Sequence, residues 1–203
     1  MLGAALVMIA SAVLGVRAED KAPMRWLPLA MHVVEKDGMP VADDAFIKAR
    51  VDRANEIYAP YRVGFVVKHR MPLKAAHAHL DSRADRDALA AHVQRKVINC
   101  FVVRSLRDVD EPERMRRGVH WHAASRPGVH FVIISPLGDR DVFSHELGHF
   151  LGNPEHSSTR GNLMSYERGP LLPFLDQAQL IRLERALRGY LKRGELIAAE
   201  PPR

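Results

Sequence analysis

His145-Glu146-Leu147-Gly148-His149-Phe150-Leu151-Gly152-Asn153-Pro154-Glu155-His156 is the stretch on which the reading of this chain turns. Residues 141–151 read as a helix, which Gly152 ends because glycine tolerates the left-handed backbone common just past a helix C-terminus. Helical residues four apart stack on one face, so the imidazoles of His145 and His149 can reach one metal ion. Glu146 lies about 100° round the helix from His145, which leaves its carboxylate beside such an ion as a base and not in line as a ligand. A catalytic zinc needs a third protein ligand and an open fourth position. Glu155 and His156 both stand just after the chain reversal at Gly152, and either can complete the set. With Cys100 the only cysteine, a disulfide framework and a multi-thiolate zinc site are both excluded. Histidines, of which there are eleven, and carboxylates must supply any transition-metal site.

HELGHFLGNPEHSSTRGNLMSY, residues 145–166, resembles the metzincin metallopeptidases, whose signature is HExxHxxGxxH followed by a methionine-containing turn. The match departs by one residue, since Glu155 stands where the third histidine should be and His156 follows it. A one-residue insertion in the 153–155 loop accounts for this and favours His156. Ser157-Ser158 after His156, and its eight-residue separation from Met164, look like matrix metalloproteinases, whereas residues 55–65 look more like pappalysin-type bacterial members.

The resemblance implies one catalytic Zn2+ held by His145, His149 and His156, with Glu146 as general base and Tyr166 hydrogen-bonding the metal or the transition state. Met164 and Gly152 would be structural parts of the Met-turn region. The strand at 118–123 would form the upper rim of a cleft that takes an extended peptide by strand addition, and residues 167–174, with Leu171 and Leu172, would shape the specificity pocket. His120 and His122 share a strand face near His130, yet a second structural zinc is not expected, because the Asp and Gly pattern that accompanies one in matrix metalloproteinases is missing. His77 and His79 are weaker candidates still. Cys100, inside an apolar strand, reads as a buried small hydrophobe and not as a thiol switch on the metal.

Working outward, residues 29–34 read as a first strand stopped by Asp37-Gly38, and 43–59 as an amphipathic helix with Asp43 or Asp44 as N-cap and Pro60 beyond its end. Strands at 63–68 and 97–103 flank a charged helix at 81–95. Residues 104–117 read as a solvated loop, 118–122 and 130–135 as two further strands, and 176–192 as a terminal helix with Leu180, Ile181, Leu187, Tyr190 and Leu191 on one stripe. Strands and helices in alternation imply an α/β (α+β) domain with a mostly parallel sheet. The resemblance specifies it further: a single metzincin-like domain with a mixed five-stranded twisted sheet, two long helices, an active-site helix and a small C-terminal subdomain carrying the Met-turn.

The chain has 203 residues, 47% hydrophobic, with a formal charge of +6, so a buried core is expected and disorder is not. Residues 2–16 form an uncharged apolar run too short to span a membrane, and Val16-Arg17-Ala18 offers small residues for cleavage. Residues 1–18 are therefore expected to be a signal peptide and 19–203 the catalytic domain, divided into 19–152 with the sheet and 153–203 with the Met-turn. Secretion or periplasmic location follows. So few residues then precede Trp26 that no folded pro-domain is expected: either the protein is active as made, or Asp20 reaching the metal, or a protein inhibitor, restrains it.

The expected function is an exported zinc endopeptidase, monomeric, acting on peptide or protein substrates, with no specific nucleic acid and no stable membrane partner. The alternatives are a zinc amidase for cell-envelope peptides and an exported zinc-containing peptide-binding protein without turnover. The intact Glu146 speaks against the last, since a binder has no need of the base.

Overall fold

The computed structural model describes residues 23–202, so the expected signal peptide, its cleavage site and Asp20 lie outside the described residues. Strand β1, Arg25–Lys36, is buried from Leu27 to Val34 on both faces, as befits a strand covered above and below. Asp37 and Gly38, at φ 53° and 75°, form the tight turn into the short β2, Met39–Pro40. Helix α1, Asp44–Tyr58, starts where the Asp43 side chain accepts from the Phe46 N–H, and it buries Ile47, Val51, Ala54, Ile57 and Tyr58. There follow β3, Val63–Leu73; β4, His79–Leu80; α2, Arg83–Ala88; β5, Ile98–Val102; β6, Ser105–Arg107; and β7, Met115–Arg116. The rest is β8, Gly118–His122; β9, His130–Ile134; α3, Val142–Phe150; and α4, Gln177–Arg193.

The main sheet runs β3-β1-β5-β9-β8. Its first four strands are parallel, and β8 pairs antiparallel with β9. The two-residue β2, folded back on the end of β1, makes a sixth strand where five were expected. On one face Met31, Cys100, Val132 and Ile134 join α1, α3 and α4 in the larger core; on the other Phe101, Phe131 and Ile133 pack with Leu80, Leu89 and Leu106. Cys100 is thus a core residue whose thiol burial pushes up, away from the reactive form. No helix of the described residues is long and apolar enough to cross a membrane.

Three local readings need correction. Residues 104–117 are not only loop: β6 and β7 build a second, three-stranded sheet with β4. Its strands, of two or three residues, are too short to show alternation among so many charges, which pair with one another instead, as Arg116 does with Asp108 at 2.5 Å. The helix at 81–95 is confined to Arg83–Ala88, set by the Ser82/Asp85 capping box, and tightens into a 3-10 turn over Leu89–His92. In α4 the buried face is Gln179, Leu183 and Leu187, while Ile181 is half exposed.

Helix α1 holds the entry to α3. Arg53 Nε donates to Asp141 Oδ1 at 2.7 Å and Arg50 to the Gly138 carbonyl at 3.0 Å, while the buried Tyr58 hydroxyl donates to the Ser144 carbonyl at 3.0 Å. The Arg53 and Asp141 side chains are only 9% and 10% exposed, and Arg53 also pairs with Glu56 at 2.6 Å, so removing Arg53 takes the hydrogen-bonded cation from the buried Asp141 carboxylate. Arg53→Ala is expected to lower stability by about 3 kcal/mol in urea denaturation.

Candidate metal centre

Helix α3 presents two opposed faces, and the sequence of the motif is divided between them. Phe143, Leu147 and Phe150 go into the core, while His145 and His149 share the face toward a cleft of about 960 Å³. Gly148 has no side chain because a Cβ there would lie 2.5 Å from Met164 Sδ and 3.3 Å from the Tyr58 hydroxyl. The fully buried Met164 is therefore seated directly under the helix.

Past α3 the chain reverses at Gly152, which has φ 93° and sits where a Cβ would meet Ala186 at 2.9 Å and the Arg182 carbonyl at 3.2 Å. Left-handed backbone and close approach to α4 both require glycine. Asn153 then faces two ways: its carbonyl accepts from His149 Nδ1 at 2.7 Å and its side-chain oxygen from Arg182 at 3.1 Å. His156 is delivered by the bond from the Ser157 N–H to the Met164 carbonyl at 2.9 Å. Met164 is in turn fixed by Asn162, whose amide exchanges bonds of 2.8 and 3.0 Å with Gln179 of α4 and accepts from the Met164 N–H at 2.9 Å. This buried amide pair fastens the turn to the last helix.

His145, His149 and His156 converge, with one ligand nitrogen from each within 4.8 Å of the other two. Glu155 is exposed and is not part of the group. The donor set fits a zinc-like cation on chemical grounds. A carbonyl can only accept, so the Leu163 carbonyl at 2.8 Å from His145 Nδ1, and that of Asn153 on His149, fix both neutral rings with the proton on Nδ1. The two Nε2 lone pairs then point at each other across 3.1 Å. Two lone pairs so placed repel unless an electrophile lies between them, and tetrahedral zinc with bonds of about 2.0–2.1 Å places its nitrogens about 3.3 Å apart. Burial depresses all three rings, His145 to about 4, so they are available as neutral ligands.

Glu146 is 7% exposed. Burial pushes its carboxyl up to about 8, against the opposing pull of the His120 backbone N–H and of Arg116 and Arg168. It fits beneath β8 only because Gly118 lacks a Cβ, which would lie 2.6 Å from Val142 and 2.9 Å from Glu146. Since His120 turns its N–H to Glu146, the edge of β8 away from β9 faces the cleft with main-chain groups outside the sheet. Tyr166 is 65% exposed and stacks on His156 at 4.3 Å between centroids.

Several residues that shape this site were not singled out from sequence: Gly118, Gly148, Asn153, Arg116 and Arg168. A glycine inside a helix costs about 1 kcal/mol relative to alanine, so Gly148 was itself a signal that something passes close by. Leu171 and Leu172 line a separate apolar pocket with Phe174 and do not line the cleft, whereas Arg168 of the same segment does. His77 lies against His92 and His79 bonds Ser105 at 2.7 Å, so neither reaches a metal group.

Solved metalloproteinase structures share this arrangement of strands and helices. Mirolysin in complex with compound 9 aligns with a TM-score of 0.59 at 12% identity, over 87% of this chain and 100% of that one. Mature mirolysin of Tannerella forsythia, in complex with a cleaved peptide, gives 0.58 over the same shares at 12% identity. The chain has a metzincin-like fold. Metalloproteinase-II from Bacteroides fragilis gives 0.53 at 15% identity, over 82% of this chain and 55% of that one. No family model matches the sequence, and neither does any curated protein.

In this metzincin-like fold the seating of α3 on Met164 depends on the missing Cβ of residue 148. Gly148→Ala is expected to cost about 1–3 kcal/mol through overpacking and to weaken zinc retention, read by thermal unfolding and metal analysis of one sample. A variant as stable and as zinc-loaded as the wild type would show that the close approach is dispensable.

Proposed function

We propose that this chain is an exported, zinc-dependent endopeptidase of the metzincin type, with His145, His149 and His156 as ligands and Glu146 as general base. The observation that carries the reading is the pair of carbonyl-fixed imidazoles aiming lone pairs at one point beside a buried carboxylate, under a strand edge open to the cleft. Zinc bound there would polarise a peptide carbonyl and make water nucleophilic near neutral pH.

The residues of the chain do the rest. The outward main-chain groups of β8 hold an extended peptide by strand addition and set its scissile bond over the three histidines. Glu146 takes a proton from the attacking water as the new C–O bond forms, and delivers it to the amide nitrogen as the C–N bond breaks. For this it must be ionised, and nearby positive charge favours that form; Arg116 and Arg168 already act in this sense. Tyr166, exposed and stacked on His156, donates to the developing oxyanion in this reading. Six arginines line the cleft against four carboxylates, which matches peptides carrying acidic side chains. The apolar run at 2–16 and the small residues at 16–18 support export, with the mature enzyme beginning near residue 19.

Glu146→Gln separates turnover from metal binding. It is expected to keep zinc and to lose about 10³-fold in cleavage of a peptide library, while a chelator abolishes the wild-type activity. Full cleavage by the zinc-loaded variant would overturn the assignment of the base.

A further inference from the structure

A second group of histidines lies on the β8–β9 hairpin. His120 and His122 are two apart on β8 and so project from one face, and His122 stands directly opposite His130 on β9. That face is the one packed toward the helices. His130 stacks on Phe150 at 4.3 Å between centroids and lies 5.5 Å from Tyr190, and His120 meets Phe150 edge-on at 5.6 Å.

The three rings are gathered as closely as those of the first site. Their centroids are 4.6, 5.0 and 5.1 Å apart, against 4.7, 4.9 and 5.2 Å for His145, His149 and His156. One ligand nitrogen from each again lies within 4.8 Å of the others, and His120 Nε2 is 2.7 Å from His130 Nδ1. With one of the two nitrogens protonated the 2.7 Å contact is a ring-to-ring hydrogen bond, and an ion held by all three rings takes the place of that proton.

We infer that the β8–β9 hairpin holds a second divalent transition-metal ion of the zinc class, through His120, His122 and His130. All three ligands come from two paired strands, so the hairpin fixes their spacing without help from any loop. Phe150 and Tyr190 wall the site from the core side. His120 and His122 also line the cleft, so an ion could reach the site from it. An ion there clamps the two strands at the end of β8, whose free edge borders the cleft. The inference does not depend on peptidase activity, since none of its ligands belongs to the first site.

The test is metal stoichiometry on the intact protein, saturated with zinc, dialysed against metal-free buffer and measured by plasma mass spectrometry. Two zinc ions per chain are expected for the wild type, one for His122→Gln/His130→Gln, one for His145→Gln/His149→Gln, and none for the fourfold variant. A wild type holding a single zinc that disappears in His145→Gln/His149→Gln would overturn the inference. Should the hairpin variant fail to fold, His145→Gln/His149→Gln decides alone, because its hairpin is untouched: one zinc sustains the site and none refutes it. Loss of one zinc in that variant with no cleavage by the wild type would count against the peptidase reading and leave the hairpin site standing.

Discussion

The contact between Gly148 and Met164 is the constraint on which the rest depends. It lets a helix carrying two histidines on one face lie directly on the turn that positions the third. Were residue 148 any larger, α3 would have to lift away from Met164, and with it the Leu163 carbonyl that orients His145. Metal-binding geometry and core packing are therefore one problem in this protein. The same helix is pressed from above by β8, where Gly118 leaves room for Glu146, so α3 needs a glycine at its contact on either side.

This layering explains how the site acquires its electrostatic character. The cation position is formed by rings that burial favours in the neutral form, and those of His145 and His149 have their protons committed to main-chain carbonyls. The neighbouring carboxylate is raised by burial and drawn down by Arg116 and Arg168, two opposed influences on one buried group. The Asn162–Gln179 amide pair, buried between the turn and α4, transmits the stability of the terminal helix to the metal face. Residues that do not line the cleft thus hold the ones that do.

Much of this was legible in the sequence, for identifiable reasons. A spacing of four on a helix is fixed by geometry, so His145 and His149 could be paired at sight, and Gly152 announced the reversal. His156 was harder, because counting along the signature puts Glu155 in its place; the bond from Ser157 to Met164 holds the chain so that His156 joins the group and Glu155 stays exposed. His130 could be grouped with His120 and His122 from sequence, but not the meeting of the three rings, since the register across the 123–129 connection cannot be counted from one strand to the next. The sheet of β4, β6 and β7 was missed because its strands are shorter than the pattern that reveals strands, and Ile181 was misplaced because the buried stripe of α4 runs through Gln179, an apparently polar position that the capping box and Asn162 draw inward.

The central claim is that three imidazoles, and no carboxylate, hold one cation at the floor of the cleft. Diffraction from crystals grown with zinc, recorded on both sides of the zinc absorption edge, tests it most directly. The account predicts an anomalous peak about 2.0–2.1 Å from Nε2 of His145, Nε2 of His149 and a ring nitrogen of His156. A peak ligated by Glu155 in place of His156, or no peak between the two helical histidines, would contradict it.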